Sequence, residues 1–91
     1  MFRWNPEKNQ ALIHSRNISF EEILEAINEN LVVADAPHYN QAKYPNQRML
    51  VVLAKGYTYL VPYVIDGNDM FLKTIIPSRK AHKHHKGLNH E

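Results

Sequence analysis

The side chains best suited to chemistry in this sequence are bases and aromatics: Lys8, His14, Arg16, Arg48, Tyr57, Tyr59, Lys73, Arg79, Lys80 and His82. Such a set can hold single-stranded nucleic acid, with cations on its phosphates and aromatic faces under its unstacked bases. Cleaving RNA without a metal needs a base to take the proton of a 2′-hydroxyl. It also needs cations to stabilise the phosphorane and an acid for the departing 5′-oxygen. His, Lys, Tyr and Arg can supply all of these. The same residues have a plainer reading, in which Tyr57 and Tyr59 are strand formers and the lysines solvate the surface. Residue types alone leave both readings open.

A second group is His82-Lys83-His84-His85, with His90 nearby. His82 with His84 or His85 has a spacing that could suit a divalent metal. A lysine interrupts the run and no adjacent carboxylate would orient the imidazoles. The expectation is therefore a basic tail that gains charge below about pH 6.5, with no metal site and no cofactor. Other chemistries find no support. There is no cysteine for thiol or zinc-thiolate work. There is no glycosidase-like carboxylate pair, no glycine-rich phosphate loop, no G-x-S-x-G and no H-E-x-x-H.

Local signals place these residues on elements. Phe2-Arg3-Trp4 alternates as a short strand. Asn5-Pro6-Glu7 reads as a helix start, with Asn5 as cap and Pro6 at the first helical position; Asn17 is the stop. Ser19 and Glu22 form a capping box, and Phe20, Ile23, Leu24 and Ile27 make the apolar stripe of a second helix. Leu31-Val32-Val33 reads as a strand, and 35–47 as a long loop of the kind that is often functional. Strand composition follows at 48–54, 57–65 and 70–76, with hairpin signals at Lys55-Gly56 and Asp66-Gly67-Asn68-Asp69. Pro62, lacking an N–H, predicts a bulge or an unpaired edge position. A short basic helix over 78–83 is expected to fade into the terminus.

The fold class expected is α+β. A short N-terminal strand and two helices pack on one face of a twisted antiparallel sheet in the order β-α-α-β-β-β-β, followed by a short basic helix or tail. Residues 1–83 should form one domain and 84–91 a His-rich tail without fixed structure. The helix-free face of the sheet is the expected location of the aromatics and bases. The chain's 91 residues suit one small core, and its net charge of +2 conceals an asymmetry. Glu21, Glu22, Glu25 and Glu29 crowd the second helix, while 36–65 and 70–90 contain no acid. That pattern suits a polyanion binder, and equally an ordinary basic tail with surface lysines. The opening residues lack the apolar run of a secretion signal and no stretch is long enough to span a membrane, so a soluble cytoplasmic domain is expected.

Three ordered motifs resemble those of the BrnT-type toxins. Trp4-Asn5-Pro6-Glu7-Lys8 is similar to the family's W-D-P-x-K opening, and Ile18-Ser19-Phe20-Glu21-Glu22 to its V-S-F-E-E. Ile75-Ile76-Pro77-Ser78-Arg79-Lys80-Ala81 is similar to its I-I-S-A-R-x-A, so the resemblance spans Phe2 to His82. It departs at Asn5 for Asp, at Pro77, and at Ser15-Arg16-Asn17 where the family has K-H-G; His14 is the displaced candidate for that histidine. The resemblance implies a RelE/ParE-like toxin, a metal-independent endoribonuclease that inhibits translation. It would be neutralised by a cognate antitoxin carrying a ribbon-helix-helix domain, with operator DNA bound only through that antitoxin. Lys8, Arg48 and Arg79 match family positions and, with His14, form the implied catalytic set. Arg16, Tyr57, Tyr59, Lys73, Lys80 and His82 are the RNA-binding candidates. The alternative is an inactive toxin-like subunit that docks an antitoxin and tunes its operator binding.

Overall fold

In the computed structural model, which describes residues 1–88 and the side chains through His84, each helix begins where its caps dictate. Asn5 accepts the amides of Glu7 and Lys8 through Oδ1 at 2.8 and 3.1 Å, starting α1 (Pro6–Arg16). Asn17 ends it with φ of 55°, a left-handed conformation that asparagine tolerates. Ser19 Oγ accepts the Glu22 amide at 3.1 Å and Glu22 accepts the Ser19 amide at 2.9 Å, so α2 (Phe20–Asn28) starts on a complete capping box. Asn9 joins the two helices from within the core: Oδ1 accepts the Phe20 amide at 2.8 Å and the side-chain amide donates to Glu21 at 2.7 Å.

The strands are β1 (Phe2–Arg3), β2 (Val32–Pro37), β3 (Arg48–Ala54), β4 (Tyr57–Asp66), β5 (Asp69–Leu72) and β6 (Ile76–Pro77), and α3 (Arg79–Leu88) follows them. The architecture is α+β. The sheet runs β1-β5-β4-β3-β2, with β6 on β4 beside β5; β1 pairs parallel to β5 and the remaining pairs are antiparallel. Positive φ at Lys55 (52°) and Gly56 (71°) makes the β3–β4 connection a two-residue turn of the type I′ kind. Lys55 is held there by Glu22 at 3.3 Å and by the Asn17 carbonyl at 2.7 Å, which moors the end of α1 to the hairpin.

Period-two alternation turns Leu50, Val52, Tyr59, Val61, Tyr63 and Leu72 to one face, where they meet Leu12, Ile18, Phe20, Ile23 and Ala26 of the helical layer. Trp4 stacks on Phe20 with ring centroids 5.5 Å apart, closing the core beside β1. Removing a ring buried as completely as Phe20 costs about 3–5 kcal/mol. Among the described residues, no helix is long and apolar enough to cross a membrane.

Four details differ from the sequence expectation. β2 extends through Asp35-Ala36-Pro37, because a proline is tolerated on an edge strand whose outer side has no partner. Pro62 stays in register opposite Met49, with no bulge toward β3. Its carbonyl accepts from the Lys73 amide at 2.8 Å, so its missing N–H faces the same side, and the ladder there splits into β5 and β6. The aromatics of β4 do not face away from the helices: Tyr59 and Tyr63 share the alternation of Val61 and point beneath α1 and α2. The opposite face is not bare either, since Met49, Val51 and Pro62 are buried on it. Finally, α3 runs through Leu88 instead of ending near residue 83, no proline or β-branched residue interrupting it; residues 89–91 of the expected tail lie outside the described residues.

Candidate functional site

Six of the predicted residues fall at two ends of β4. At its start, the hairpin, β6 and α3 converge. The Ser78 amide donates to the Thr58 carbonyl at 3.0 Å, and Ser78 Oγ caps α3 by accepting the Ala81 amide at 3.1 Å. One turn further, the His82 ring stacks on Tyr57 with centroids 4.4 Å apart, and its Nδ1 lies 3.1 Å from the Thr58 hydroxyl. Thr58 is fully buried and Tyr57 half-buried against the core, so the imidazole rests on a rigid seat. Arg79 and His82 are three residues apart and share a helix face. Arg79 and Lys80 are exposed, and neither has an ion-pair partner among the described residues. Arg16, in the last turn of α1, donates through Nη1 to the Ile75 carbonyl just before β6. Tyr57, His82, Arg79, Lys80 and Arg16 are thus gathered around the join of β4, β6 and α3.

A local rule is broken at this end. The first turn of α3 carries Arg79 and Lys80 and no acid, although the positive end of a helix dipole favours carboxylates. Arg79 and Lys80 in that first turn, with the seated imidazole of His82 on the Arg79 face, offer positive charge where an anion would relieve the mismatch.

Arg48 stands at the far end, six residues along β3 from Ala54, about 20 Å away. It is committed to Asp35: Nε lies 3.2 Å from Oδ1 and Nη2 donates to the Asp35 carbonyl at 3.1 Å. Tyr63 donates its hydroxyl to the same carboxylate, 2.9 Å from each oxygen. The neighbouring Tyr63 hydroxyl and the Asp35 carboxylate push the guanidinium further above its ordinary range. Burial, then the Asp35 carboxylate, raises the Tyr63 phenol.

The remaining candidates are scattered. Lys8 is exposed in the first turn of α1, about 12 Å along the axis from Arg16, and His14 is exposed near that helix's end. Tyr59 is 8% exposed and is a core side chain, touching Tyr57 edge-on at 5.8 Å. Lys73 lies over the Phe71 ring at 5.3 Å, on the strand junction opposite Pro62. Of the terminal histidines, His85 and His90 lie outside the described side chains. The sequence reading singles out no residue of the long loop, yet His38 there is 5% exposed and flanked by Tyr39 and Tyr44. The signal for it was three aromatic rings within seven residues of a loop. Comparison of the chain with protein-family models, curated proteins and solved structures finds no match.

Proposed function

We propose that this chain is the toxin of a type II toxin–antitoxin pair, an endoribonuclease whose working site is the join of β4, β6 and α3. The observation that carries the reading is His82, seated on Tyr57 with Nδ1 at Thr58, one turn from Arg79 and Lys80, which have no ion-pair partner among the described residues. With Nδ1 engaged by the hydroxyl, Nε2 is the ring nitrogen left to exchange a proton. In this reading Nε2 takes the proton of a 2′-hydroxyl as that oxygen attacks phosphorus. The P–O5′ bond breaks, the departing 5′-oxygen takes a proton from water, and a 2′,3′-cyclic phosphate remains. Arg79 and Lys80 take up the charge that develops on the phosphorane. The resemblance of the three motifs supports the toxin assignment, and with it a cytoplasmic location and a ribbon-helix-helix antitoxin as partner.

A second reading has its own observation. Arg48, one of the family-like cations, is tied to Asp35 and stands apart from the others, which favours an inactive subunit that docks an antitoxin and tunes its operator binding. The purified chain, incubated with RNA in EDTA, separates the two. Cleavage that falls on the order of a hundredfold in both Arg79→Ala and His82→Ala supports the enzyme and this site. No cleavage by the wild-type chain, or full cleavage by both variants, overturns it.

A further inference from the structure

The loop from His38 to Gln47 is a built object. Its ends meet where the His38 amide donates to the Gln47 carbonyl at 3.1 Å. Gln41 Nε2 donates to the His38 carbonyl at 2.8 Å, the Tyr44 amide to the Asn40 carbonyl at 2.9 Å, and the Gln47 amide to the Tyr44 carbonyl at 3.2 Å. Compact loops with closed ends are frequently functional. Here the bonds serve to present rings. His38 stacks on Tyr39 with centroids 4.5 Å apart at 25°, and Tyr44 tilts against His38 at 43° with centroids 4.6 Å apart. Tyr39 is 70% exposed, an aromatic face held in water by a buried histidine.

Beneath the loop is a cavity of about 250 Å³, lined by His38, Tyr39, Tyr44, Gln47, Lys73 and Thr74, with Pro62 and Ile76 as its floor. It is smaller than the roughly 300–1,000 Å³ of a drug-sized pocket, which suits one planar ring system. The Asn40 amide donates to His38 Nδ1 at 2.9 Å, so a neutral ring carries its hydrogen on Nε2. Nε2 has no hydrogen-bond partner among the described residues, although the side chain is 95% buried. Lys73 and, over Tyr44 at 5.3 Å, Lys43 bring positive charge to the rim.

We infer that this cavity is a subsite for one unstacked nucleobase of a single-stranded RNA, stacked on Tyr39, with the adjoining phosphate on Lys73. The inference rests on the function proposed above and adds to it where the substrate is held. Thr58 and Pro62 lie on the same face of β4, four residues and about 13 Å apart. A strand a few nucleotides long therefore reaches from the His82 seat to the loop.

The test uses the full chain and a fluorescein-labelled 2′-O-methyl single strand of about ten nucleotides, followed by fluorescence anisotropy, beside a strand of equal charge with abasic sites. Tyr39 is exposed, so Tyr39→Ala should fold normally. It should weaken binding of the base-bearing strand between about fivefold and a hundredfold, with Tyr39→Trp restoring it and the abasic strand unaffected. Equal binding by wild type and Tyr39→Ala, or an equal loss on the abasic strand, overturns the subsite. If Tyr39→Ala has no effect while Arg79→Ala abolishes RNA cleavage, the subsite falls and the proposed function stands. If Tyr39→Ala weakens binding while Arg79→Ala and His82→Ala cleave normally, the subsite stands and the proposed active site falls.

Discussion

The two ends of β4 are furnished with the same residue types and use them in opposite ways. At one end Arg48 and Tyr63 converge on Asp35, and one carboxylate satisfies both. At the other, Arg79 and Lys80 stand in the first turn of α3 with no ion-pair partner among the described residues, while Tyr57 supports His82. The first arrangement closes its own charge and ties β2 to β3 and β4. The second leaves positive charge uncompensated, against the preference of the helix that bears it. An arginine beside a tyrosine thus says little about function until the nearest acid is located.

The sharpest break of this comparison is Asp35→Ala. It strips the acceptor from the hydroxyl of Tyr63, a residue 4% exposed. The expected cost is about 1–3 kcal/mol of stability, read as a lower denaturant midpoint at unchanged slope. RNA cleavage by the folded variant should stay at the wild-type level. If cleavage falls instead while the midpoint holds, Arg48 belongs to the working site and the contrast between the ends is wrong.

Tyr63→Phe sharpens the same end. It keeps the ring in the core and removes the hydroxyl that bonds Asp35 and neighbours Arg48, for a loss of about 1 kcal/mol. The pH dependence follows from burial and the Asp35 carboxylate, which raise the Tyr63 phenol above its ordinary range. A group whose pKa is raised by folding contributes stability below its unfolded value, here about 10 for tyrosine, and loses it as the pH climbs through the folded value. Wild-type stability should therefore fall above about pH 10 more steeply than that of Tyr63→Phe. Parallel alkaline unfolding curves would show that Tyr63 is not held neutral by this site.

What was legible in the sequence was local. Asn5-Pro6, the Ser19 and Glu22 box, Asn17 and Lys55-Gly56 announce themselves because caps and turns are decided within a few residues. Asp35 falls in the segment 35–47, whose two prolines and two asparagines read as a loop. Its strand exists through pairing with β3, thirteen residues on, and so does its bond to Arg48. The alternation of Tyr59 with Val61 was also legible, but which face the helices cover is decided by packing at long range. For the candidate site, Arg79, Lys80 and His82 were identifiable by type and motif. Their meeting with Tyr57 required β6 to lie on β4, a pairing shaped by the donor that Pro62 lacks. His38 has only the nearby Tyr39 and Tyr44 as its signal, and their stacking around it depends on the closure of the loop.

The smallest expected effect tests the uncompensated end most directly. Arg79→Glu places a carboxylate in the first turn of α3, where the helix dipole favours it, one residue beyond the Ser78 cap. Thermal unfolding should show unchanged stability or a gain of about 0.3–1 kcal/mol. The same change sets a negative charge where the proposed function places the RNA phosphate, so on that proposal RNA cleavage should be lost. Stability retained together with cleavage lost is the signature of a position held basic for a ligand at the expense of its helix. If Arg79→Glu instead destabilises the chain, Arg79 serves the fold as Arg48 does, and the two ends of β4 are alike.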